Sequence, residues 1–548
     1  MAAAPEFRQW MEREFPSGAS EWEDPLTRRH FVKIMSASFM LAGLGLAASG
    51  CRRPVEKLEP FGKQPDDYVY GTSQFYATAM PTRGGAIPLL AKSYEGRPIK
   101  VEGNAQFPGS NGGTDRWAQA SILNLYDPDR SRRFTKGGTN ATPEAAADFL
   151  NELSKKAQEN GGEGLAFLLE CNTSPSRLRL QKLISKKFPK AKWFIHEPID
   201  TDIHRRAASQ AFGASVKPQF NYDKAKVIVS LDCDFIGAEE DAHNSIRKFV
   251  DGRRIETPKS EMNRLYVVEG LMTLTGANAD HRLRVPASAV AQIAQALAAA
   301  VTGQGSSTSP AGVDAKWISE CAKDLVANKG ASLVVAGYRQ PLAVHLLANA
   351  INSALGNIGK TVVLHGAPDL KEGNLADLAK SLNAGEVETL VLLGGNPAYS
   401  ASAELDWAKT QRKAKTVVRL GYYEDESFAN SDWHFPAAHY LESWGDALTS
   451  DGTLVPVQPL IQPLFGGLTE IEVLARIAGV DKVSSYEVVR ETFAEIGGGD
   501  EVAWRKFLYN GYLEGSAAKP VSARLNSGAI AEAVSGLKSG APSKENLE

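Results

Sequence analysis

The sequence has few cysteines, and none of them are grouped. The 548-residue chain contains Cys51, Cys171, Cys233 and Cys321, which lie far apart. An iron–sulfur cluster needs four thiolates, usually with several closely spaced, and structural zinc sites need comparable pairs. This spacing excludes a cluster or zinc site held by the cysteines of this chain alone. If Cys51 is set aside, at most one disulfide can form.

Other functional signals are also absent. The 61 basic and 64 acidic residues are well mixed, so no basic stripe predicts nucleic-acid binding. After residue 51 no run of eighteen apolar residues predicts a membrane span. The chain also has no G-x-S-x-G elbow, no Walker loop and no G-x-G-x-x-G after a strand. Without these motifs, the sequence gives no indication of a typical serine hydrolase or of a typical nucleotide-binding protein.

The N-terminus carries an export signal. Arg28 and Arg29 stand before an uncharged run over 34–50, a pattern read by the twin-arginine route. A run of about 17 residues is near the lower limit for crossing a bilayer, so an N-terminal membrane anchor remains the alternative interpretation. Cys51 follows three small residues, as lipoprotein cleavage requires. Lipidation of Cys51 and a role without lipid both stay open.

The rest of the chain predicts an α/β fold. With 548 residues, of which 43% are hydrophobic, the chain is too long to fold around a single core. From Thr142 onward, apolar strands alternate with helices, which predicts two doubly wound parallel-sheet units. The predicted divisions are a signal over 1–51, a strand-rich and loop-rich region over 52–141, units over 142–303 and 313–480, and a helical tail with a flexible end over 481–548. The predicted strands cover 165–170, 193–197, 226–231, 264–269, 332–336, 361–364, 389–393 and 416–420.

Ligands of open parallel sheets bind beyond the carboxyl ends of the strands, so the strand ends supply the candidate sites. The segment 171–174 is either a phosphate site or a helix cap, and capping is favoured. The segment Gly394-Gly395-Asn396-Pro397 either lets a ligand approach the backbone or forms a tight turn. His434, His439 and Glu442 are possible metal ligands, but Pro436 between the histidines argues against a shared face. The polar groups of 196–197 and 278–282 predict hydrogen bonds and ion pairs of a structural kind.

These strand ends resemble the molybdopterin oxidoreductase superfamily. The similarity is carried by 96–104 with Pro108 and 112–113, by 125–130, by the Gly394-Gly395-Asn396-Pro397 turn, and by 435–438 with Glu442 and Gly445. In that superfamily such elements line the pocket of a pterin dinucleotide. The resemblance therefore implies that Gly394, Gly395, Asn396, Pro397 and Glu442 are cofactor-binding residues, if a pterin is bound.

One branch is more similar still, namely the molybdopterin-like B subunits of alternative complex III, a quinol-oxidising respiratory complex. The resemblance spans roughly residues 6–480 and is carried by 262–269, 274–282, 439–446 and 458–463. That branch has lost its cofactor. Here the first-cluster cysteines are missing, and only Ser209 weakly qualifies as a molybdenum ligand in the matching helix.

The resemblance implies a scaffold rather than an enzyme. No cofactor is expected in this chain, and iron–sulfur clusters are expected on a partner or on a half missing from the sequence. The implied partners are an iron–sulfur protein, a multihaem cytochrome c subunit and a polytopic quinol-binding membrane subunit. The alternative is an active enzyme with molybdopterin guanine dinucleotide, related to polysulfide or thiosulfate reductase.

Overall fold

The computed structural model describes residues 71–537, with gaps at 111, 304–308, 311 and 368–371, together with residues 33 and 69. The predicted signal residues Arg28, Arg29 and Cys51 lie outside the described residues. The strands are β1 (Gln74–Pro81), β2 (Ala86–Tyr94), β3 (Arg97–Gly103), β4 (Phe134–Lys136), β5 (Thr139–Ala141), β6 (Leu165–Leu169), β7 (Lys192–Ile195), β8 (Val216–Phe220), β9 (Val227–Leu231), β10 (Arg264–Glu269), β11 (His281–Arg284), β12 (Ser332–Ala336), β13 (Val362–Gly366), β14 (Gly373–Asn374), β15 (Thr389–Leu393), β16 (Thr416–Gly421), β17 (Trp433–Pro436), β18 (Gly445–Leu448) and β19 (Leu454–Val457).

The helices surround these strands. They are α1 (Arg116–Leu125), α2 (Pro143–Asn160), α3 (Pro175–Lys187), α4 (Ile203–Phe212), α5 (Ala242–Asp251), α6 (Leu274–Ala277), α7 (Ala287–Thr302), α8 (Ala315–Ala327), α9 (Leu342–Ala354), α10 (Leu375–Asn383), α11 (Pro397–Ser400), α12 (Trp407–Gln411), α13 (Glu470–Ala478), α14 (Ser485–Gly497), α15 (Glu501–Asn510) and α16 (Ser527–Ser535). Within the described part of the chain, no helix is both long enough and apolar enough to cross a membrane.

Two parallel sheets form the centre of the fold, as the continuous apolar strands predict. The larger sheet has the order β14-β7-β6-β15-β16-β17-β4-β5, and the smaller has the order β11-β10-β9-β12. In β6, Leu165, Phe167 and Leu169 face one core, whereas Ala166 and Leu168 face another. A strand covered on both faces needs apolar residues at every position, which explains the unbroken pattern.

The boundary predicted between 303 and 313 does not separate these sheets. In the larger sheet β6 pairs with β15, and in the smaller sheet β9 pairs with β12. Strands of the predicted units 142–303 and 313–480 therefore pair with each other in both sheets. The segment that carries the smaller sheet is inserted between two parts of the larger one. All buried parallel strands share one pattern, so the sequence does not reveal which strands are neighbours.

Two further elements differ from the prediction. The strand predicted over 361–364 pairs antiparallel with β8 outside both parallel sheets, and β8 was not predicted because it contains Pro218. In the tail over 481–548, α14 and α15 agree with the predicted helical character. The end of this tail, which was expected to be flexible, contains α16. Ile530 of α16 is buried in the core beside the smaller sheet.

The strand-rich region over 52–141 contains a three-stranded antiparallel sheet, β1-β2-β3. The turn between β2 and β3 lies at Glu95 and Gly96, which both have positive φ, as a two-residue hairpin turn requires. The turn joins β2 and β3 as an antiparallel hairpin. The hairpin β4–β5 from the same region instead extends the larger sheet beyond β17.

Candidate functional site

The carboxyl ends of neighbouring strands in the larger sheet bring several predicted site residues to one edge. Glu170 follows β6, residues 196–197 follow β7, residues 394–395 follow β15, and Tyr422 follows β16. Since these strands are adjacent and parallel, their following loops start side by side. This edge of the sheet is the candidate site.

The glycine pair after β15 adopts a backbone that other residues rarely adopt. Gly394 has φ of 85° and Gly395 has φ of 66°. The tight-turn interpretation of this segment is therefore confirmed. The turn is also held from inside the protein, because the guanidinium of Arg419 donates a hydrogen bond of 2.9 Å to the carbonyl oxygen of Gly395.

The rest of this loop has protein partners too. The side-chain amide of Asn396 donates to the Glu426 carboxylate at 2.7 Å and accepts from the Ser427 hydroxyl at 2.7 Å. Pro397 is buried at the start of α11. The side chain of Asn396 thus ties its loop to the segment after β16, and its contacts are those of a structural residue.

Glu170 occupies the space against the glycine pair. A Cβ built on Gly394 would overlap the Glu170 carboxylate, so another residue at 394 would displace that carboxylate from its present position. Burial raises the pKa of Glu170, while a hydrogen bond from the Gly395 backbone and the charges of Arg83 and Arg177 act to lower it. Glu170 was predicted only as the last residue of a strand. A charged residue directly after a buried apolar strand was the available signal for its role.

Glu170 and Tyr422 both reach solvent at this edge of the sheet. Glu170 is exposed, and Tyr422 is 41% exposed. Partial burial by the surrounding protein nevertheless raises the pKa of Tyr422 to about 12. The two side chains therefore lie where the strand ends meet the protein surface.

More carboxyl groups lie near Glu170. Glu197 accepts a hydrogen bond of 2.6 Å from the Cys171 amide and pairs with Arg83 at 2.8 Å. Burial raises the pKa of Glu197 to about 7, and the nearby carboxylates of Glu170 and Glu240 act in the same direction. The pKa of Glu240 is also raised by burial. The site thus groups three carboxyl groups whose protonated forms are favoured by burial.

These residues do not fit a pterin dinucleotide at the glycine pair. The phosphates of such a cofactor are anionic and seek backbone amides and cations. Here the Glu170 carboxylate already lies against both glycines, where a phosphate would approach them. The Gly394 amide donates to the Leu420 carbonyl oxygen, and the Gly395 amide donates to Glu170. Arg83 and Arg419 form ion pairs with protein carboxylates.

Glu442, predicted for the same pocket, is instead fully buried. It accepts hydrogen bonds from the Arg130 guanidinium at 2.7 and 3.1 Å and from the amides of His439 and Leu464 at 2.8 and 3.0 Å. Burial acts to raise the pKa of Glu442, but Arg130 and these amides outweigh it, so the pKa lies below its usual value. Glu442 holds three segments together, and its side chain has no surface open to solvent.

The two histidines of the same segment are also structural. His434 lies 2.7 Å from the Ser131 hydroxyl, and the Nδ1 atom of His439 accepts a hydrogen bond from the Leu441 amide. Burial lowers the pKa of each histidine to about 4. Among the residues that the structure describes, no three His, Cys, Asp or Glu side chains are grouped to hold a metal ion.

The three cysteines that the structure describes form no disulfide. Burial raises the pKa of Cys171 to about 12 and also raises the pKa values of Cys233 and Cys321. The helix-cap interpretation of 171–174 is confirmed, since the Ser174 hydroxyl accepts from the Arg177 amide at the start of α3. Thiols in this state are neither nucleophiles nor ready metal ligands.

The remaining predicted groups have ordinary partners. Asp280 forms an ion pair of 2.6 Å with Arg253, and His196 lies 3.0 Å from the Ser400 hydroxyl. The Ser209 hydroxyl of α4 donates to the carbonyl oxygen of Val216. The structural interpretation of 278–282 is therefore confirmed, with Arg253 as the partner of the aspartate.

Comparison with known proteins finds similarity in structure alone. No protein-family model matches the chain, and no curated protein matches it. The chain is similar to the solved structure of acetylene hydratase from Pelobacter acetylenicus, with a TM-score of 0.59 and 11% sequence identity over 81% of this chain and 74% of that one. Acetylene hydratase has the molybdopterin oxidoreductase fold. This chain has the molybdopterin oxidoreductase fold. The predicted fold class is confirmed, and at this identity the likeness shows the fold alone.

Proposed function

We propose that this chain is a non-catalytic, cofactor-free scaffold subunit of a membrane-bound respiratory quinol:electron acceptor oxidoreductase of the alternative complex III type. In this proposal the twin-arginine signal with Arg28 and Arg29 exports the chain to the periplasmic face of the membrane, and Cys51 is a candidate lipid anchor. The chain holds an iron–sulfur protein, a multihaem cytochrome c subunit and a polytopic quinol-binding subunit together.

The position of Glu170 carries the proposal. In the fold, ligands bind beyond the strand ends, where glycines expose backbone amides. At that place this chain presents a carboxylate to Gly394 and Gly395 and surrounds it with further carboxylates. This arrangement suits a protein that has kept the framework of the fold and replaced the contacts of its cofactor.

The cysteines support the same proposal. Electron transfer over tens of ångströms needs intermediate redox centres, and iron–sulfur centres are bound through grouped thiolates. Its three described cysteines are free, apart from one another and protonated. The electrons of the complex would therefore travel on the partner subunits.

A test of the scaffold role is removal of this chain from the native organism. The expected result is that the iron–sulfur protein no longer sediments with the membranes and that quinol-dependent cytochrome reduction is lost. Full assembly of the remaining subunits without this chain would contradict the scaffold role. A matched strain that re-expresses the full chain controls for indirect effects.

The second candidate function is an active molybdopterin-dependent oxidoreductase. The observation in its favour is that Glu170 and Tyr422 reach solvent at the strand ends, where ligands of such sheets bind. It differs from the scaffold proposal in one measurable property, the molybdenum or tungsten content of the purified chain.

A further inference from the structure

The turn between β1 and β2 lies against loops of both parallel sheets. It consists of Thr82-Arg83-Gly84-Gly85, and the Thr82 amide donates to the Gly85 carbonyl oxygen at 3.0 Å. We call residues 82–85 the β1–β2 turn. It contacts loops that follow β6 and β7 of the larger sheet and the loop that follows β9 of the smaller sheet. Ligands of open parallel sheets bind beyond such strand ends, so the position of this turn bears on access to the candidate site.

Two loops of the larger sheet hold the β1–β2 turn. Arg83 forms an ion pair with Glu197, which follows β7, and 2.8 Å separate Nε from Oε2. The Thr173 hydroxyl, in the loop after β6, lies 3.2 Å from the Gly85 carbonyl oxygen and 2.8 Å from that of Leu448. Since β6 and β7 are neighbours, both contacts arise at one edge of the sheet. The turn is therefore fastened to the edge that forms the candidate site.

A second set of contacts comes from β8 and from the loop after β9. Glu240 in that loop lies so close to Gly84 that a Cβ there would overlap its carboxyl group. The Lys217 ammonium of β8 donates to the Gly84 carbonyl oxygen. The Thr201 hydroxyl, in the loop after β7, donates to the Glu240 carboxyl group at 3.1 Å. Loops of the two sheets thus meet directly beside the turn, and the turn closes the place where they meet.

The β1–β2 turn is held less firmly than the strands that it joins. Ala79 of β1 and Ala86 of β2 are buried in one apolar cluster with Ala447 and Val455. The turn itself has no large apolar side chain, and the side chain of Arg83 is 40% exposed. Its position depends on one ion pair and a few hydrogen bonds, which stabilise less than a buried core does. The turn has the properties of a segment that opens locally while the cluster stays intact.

We propose that the β1–β2 turn is a lid over the strand ends of the two sheets, which is closed by these polar contacts and opens without unfolding of either sheet. In the closed position its backbone fills the space between the loops after β6 and β7 and the loop after β9. Opening frees that space for a small molecule. The absence of a side chain at Gly84 serves the closed position, because Glu240 leaves no room for one. The inference goes beyond the proposed function, since it holds whether or not the chain is a scaffold.

The test is proteolysis of the native full chain with trypsin, which cleaves after Arg83 when the turn leaves its contacts. Mass spectrometry follows this cleavage, and a synthetic peptide of residues 78–88 gives the rate for the open segment. We expect the wild type to be cleaved more slowly than the peptide. The rate should depend little on urea below the unfolding transition, because local opening exposes little surface. The variants Glu197→Gln and Lys217→Met each remove one contact and should raise the rate by about tenfold.

The matched control is Lys226→Met/Glu261→Gln, which removes an exposed ion pair of 2.8 Å at the amino end of β9. It should leave the rate of cleavage after Arg83 unchanged. Urea unfolding of each variant distinguishes faster opening of the turn from a loss of global stability.

Three results would overturn the inference. Cleavage after Arg83 with the urea dependence of global unfolding would show that the turn is a fixed part of the fold. Wild-type cleavage as fast as that of the peptide would show that the turn is not closed. Variants of Glu197 and Lys217 that are cleaved no faster than the wild type would show that these contacts do not hold it. Each of these results leaves the proposed function as it stands.

Discussion

The buried ion pair between Arg130 and Glu442 allows a quantitative test of what holds the fold together. The two side chains are 2% and 0% exposed, and the carboxylate also accepts the amides of His439 and Leu464. Removing two charges from water costs several kcal/mol per ion, and only such complete pairing recovers that cost. Arg130→Met would leave the carboxylate buried without its counter-charge. We expect this variant to lose about 3–5 kcal/mol of unfolding free energy.

The double variant Arg130→Met/Glu442→Leu removes both charges and should lose less than the sum of the two single variants. Its remaining loss is about 2 kcal/mol, because the amides of His439 and Leu464 each lose an acceptor. The measurement is urea unfolding at pH 7, followed by tryptophan fluorescence, arranged as a double-mutant cycle. A loss below about 1 kcal/mol in Arg130→Met, or strict additivity in the cycle, would refute the reasoning.

The pH dependence of this pair has a definite sign. The pKa of Glu442 is lowered in the folded state, so its contribution is present above its ordinary pKa of 4.5 and is lost as pH falls through the folded-state pKa. The stabilities of wild type and Arg130→Met should therefore converge in acid. A difference between them that is constant with pH would show that Arg130 acts through packing alone.

Three further predictions concern the candidate site. Gly394→Ala should destabilise the chain more than Gly213→Ala. Both glycines have positive φ, but only at Gly394 would the new methyl group overlap another side chain, the Glu170 carboxylate. Equal shifts in the urea midpoint of the two variants would contradict this. Glu197 has a pKa of about 7 in the folded chain, above its ordinary value of 4.5. Its contribution to the unfolding free energy is therefore fully present below pH 4.5 and is lost as the pH rises through 7. Glu197→Gln should make the unfolding free energy change less with pH in this range. Iodoacetamide at pH 7.5 should label the buried thiols of Cys233 and Cys321 only after denaturation, and rapid labelling of either in the native chain would show that it is accessible.

Much of the fold follows from local pattern. The strand predicted over 165–170 is observed over Leu165–Leu169, and that predicted over 332–336 has the same bounds. Their strand character follows from burial on both faces, which requires apolar residues at each position. Thr142 caps α2 as its sequence predicts, with Pro143 at the first helical position.

The pairing of the strands could not be predicted in the same way. Leu165 of β6 lies opposite Thr389 of β15, more than two hundred residues later. Nothing in either strand distinguishes this partner from the other buried parallel strands. The turn-rich linker over 303–312 suggested a boundary, but it joins β11 and β12, two strands of the same sheet. A turn-rich composition indicates that regular secondary structure is interrupted, but it does not indicate that one sheet ends and another begins.

The candidate site was only partly visible in the sequence. The glycine pair at 394–395 stood out because two adjacent glycines after an apolar strand indicate positive φ. Glu170 did not, because its role depends on β6 and β15 being neighbours, which is a property of the tertiary structure. Glu442 was placed in the pocket by resemblance, whereas Arg130, which is remote in sequence, buries it in an ion pair.

We propose that this chain keeps the molybdopterin oxidoreductase fold without its cofactor. This is tested by the molybdenum, tungsten and pterin content of the full chain purified from its native membranes, by mass spectrometry of metals and fluorescence of released pterin. We expect amounts far below one per chain. One equivalent of molybdenum or tungsten with its pterin, bound to this chain, would overturn the proposal.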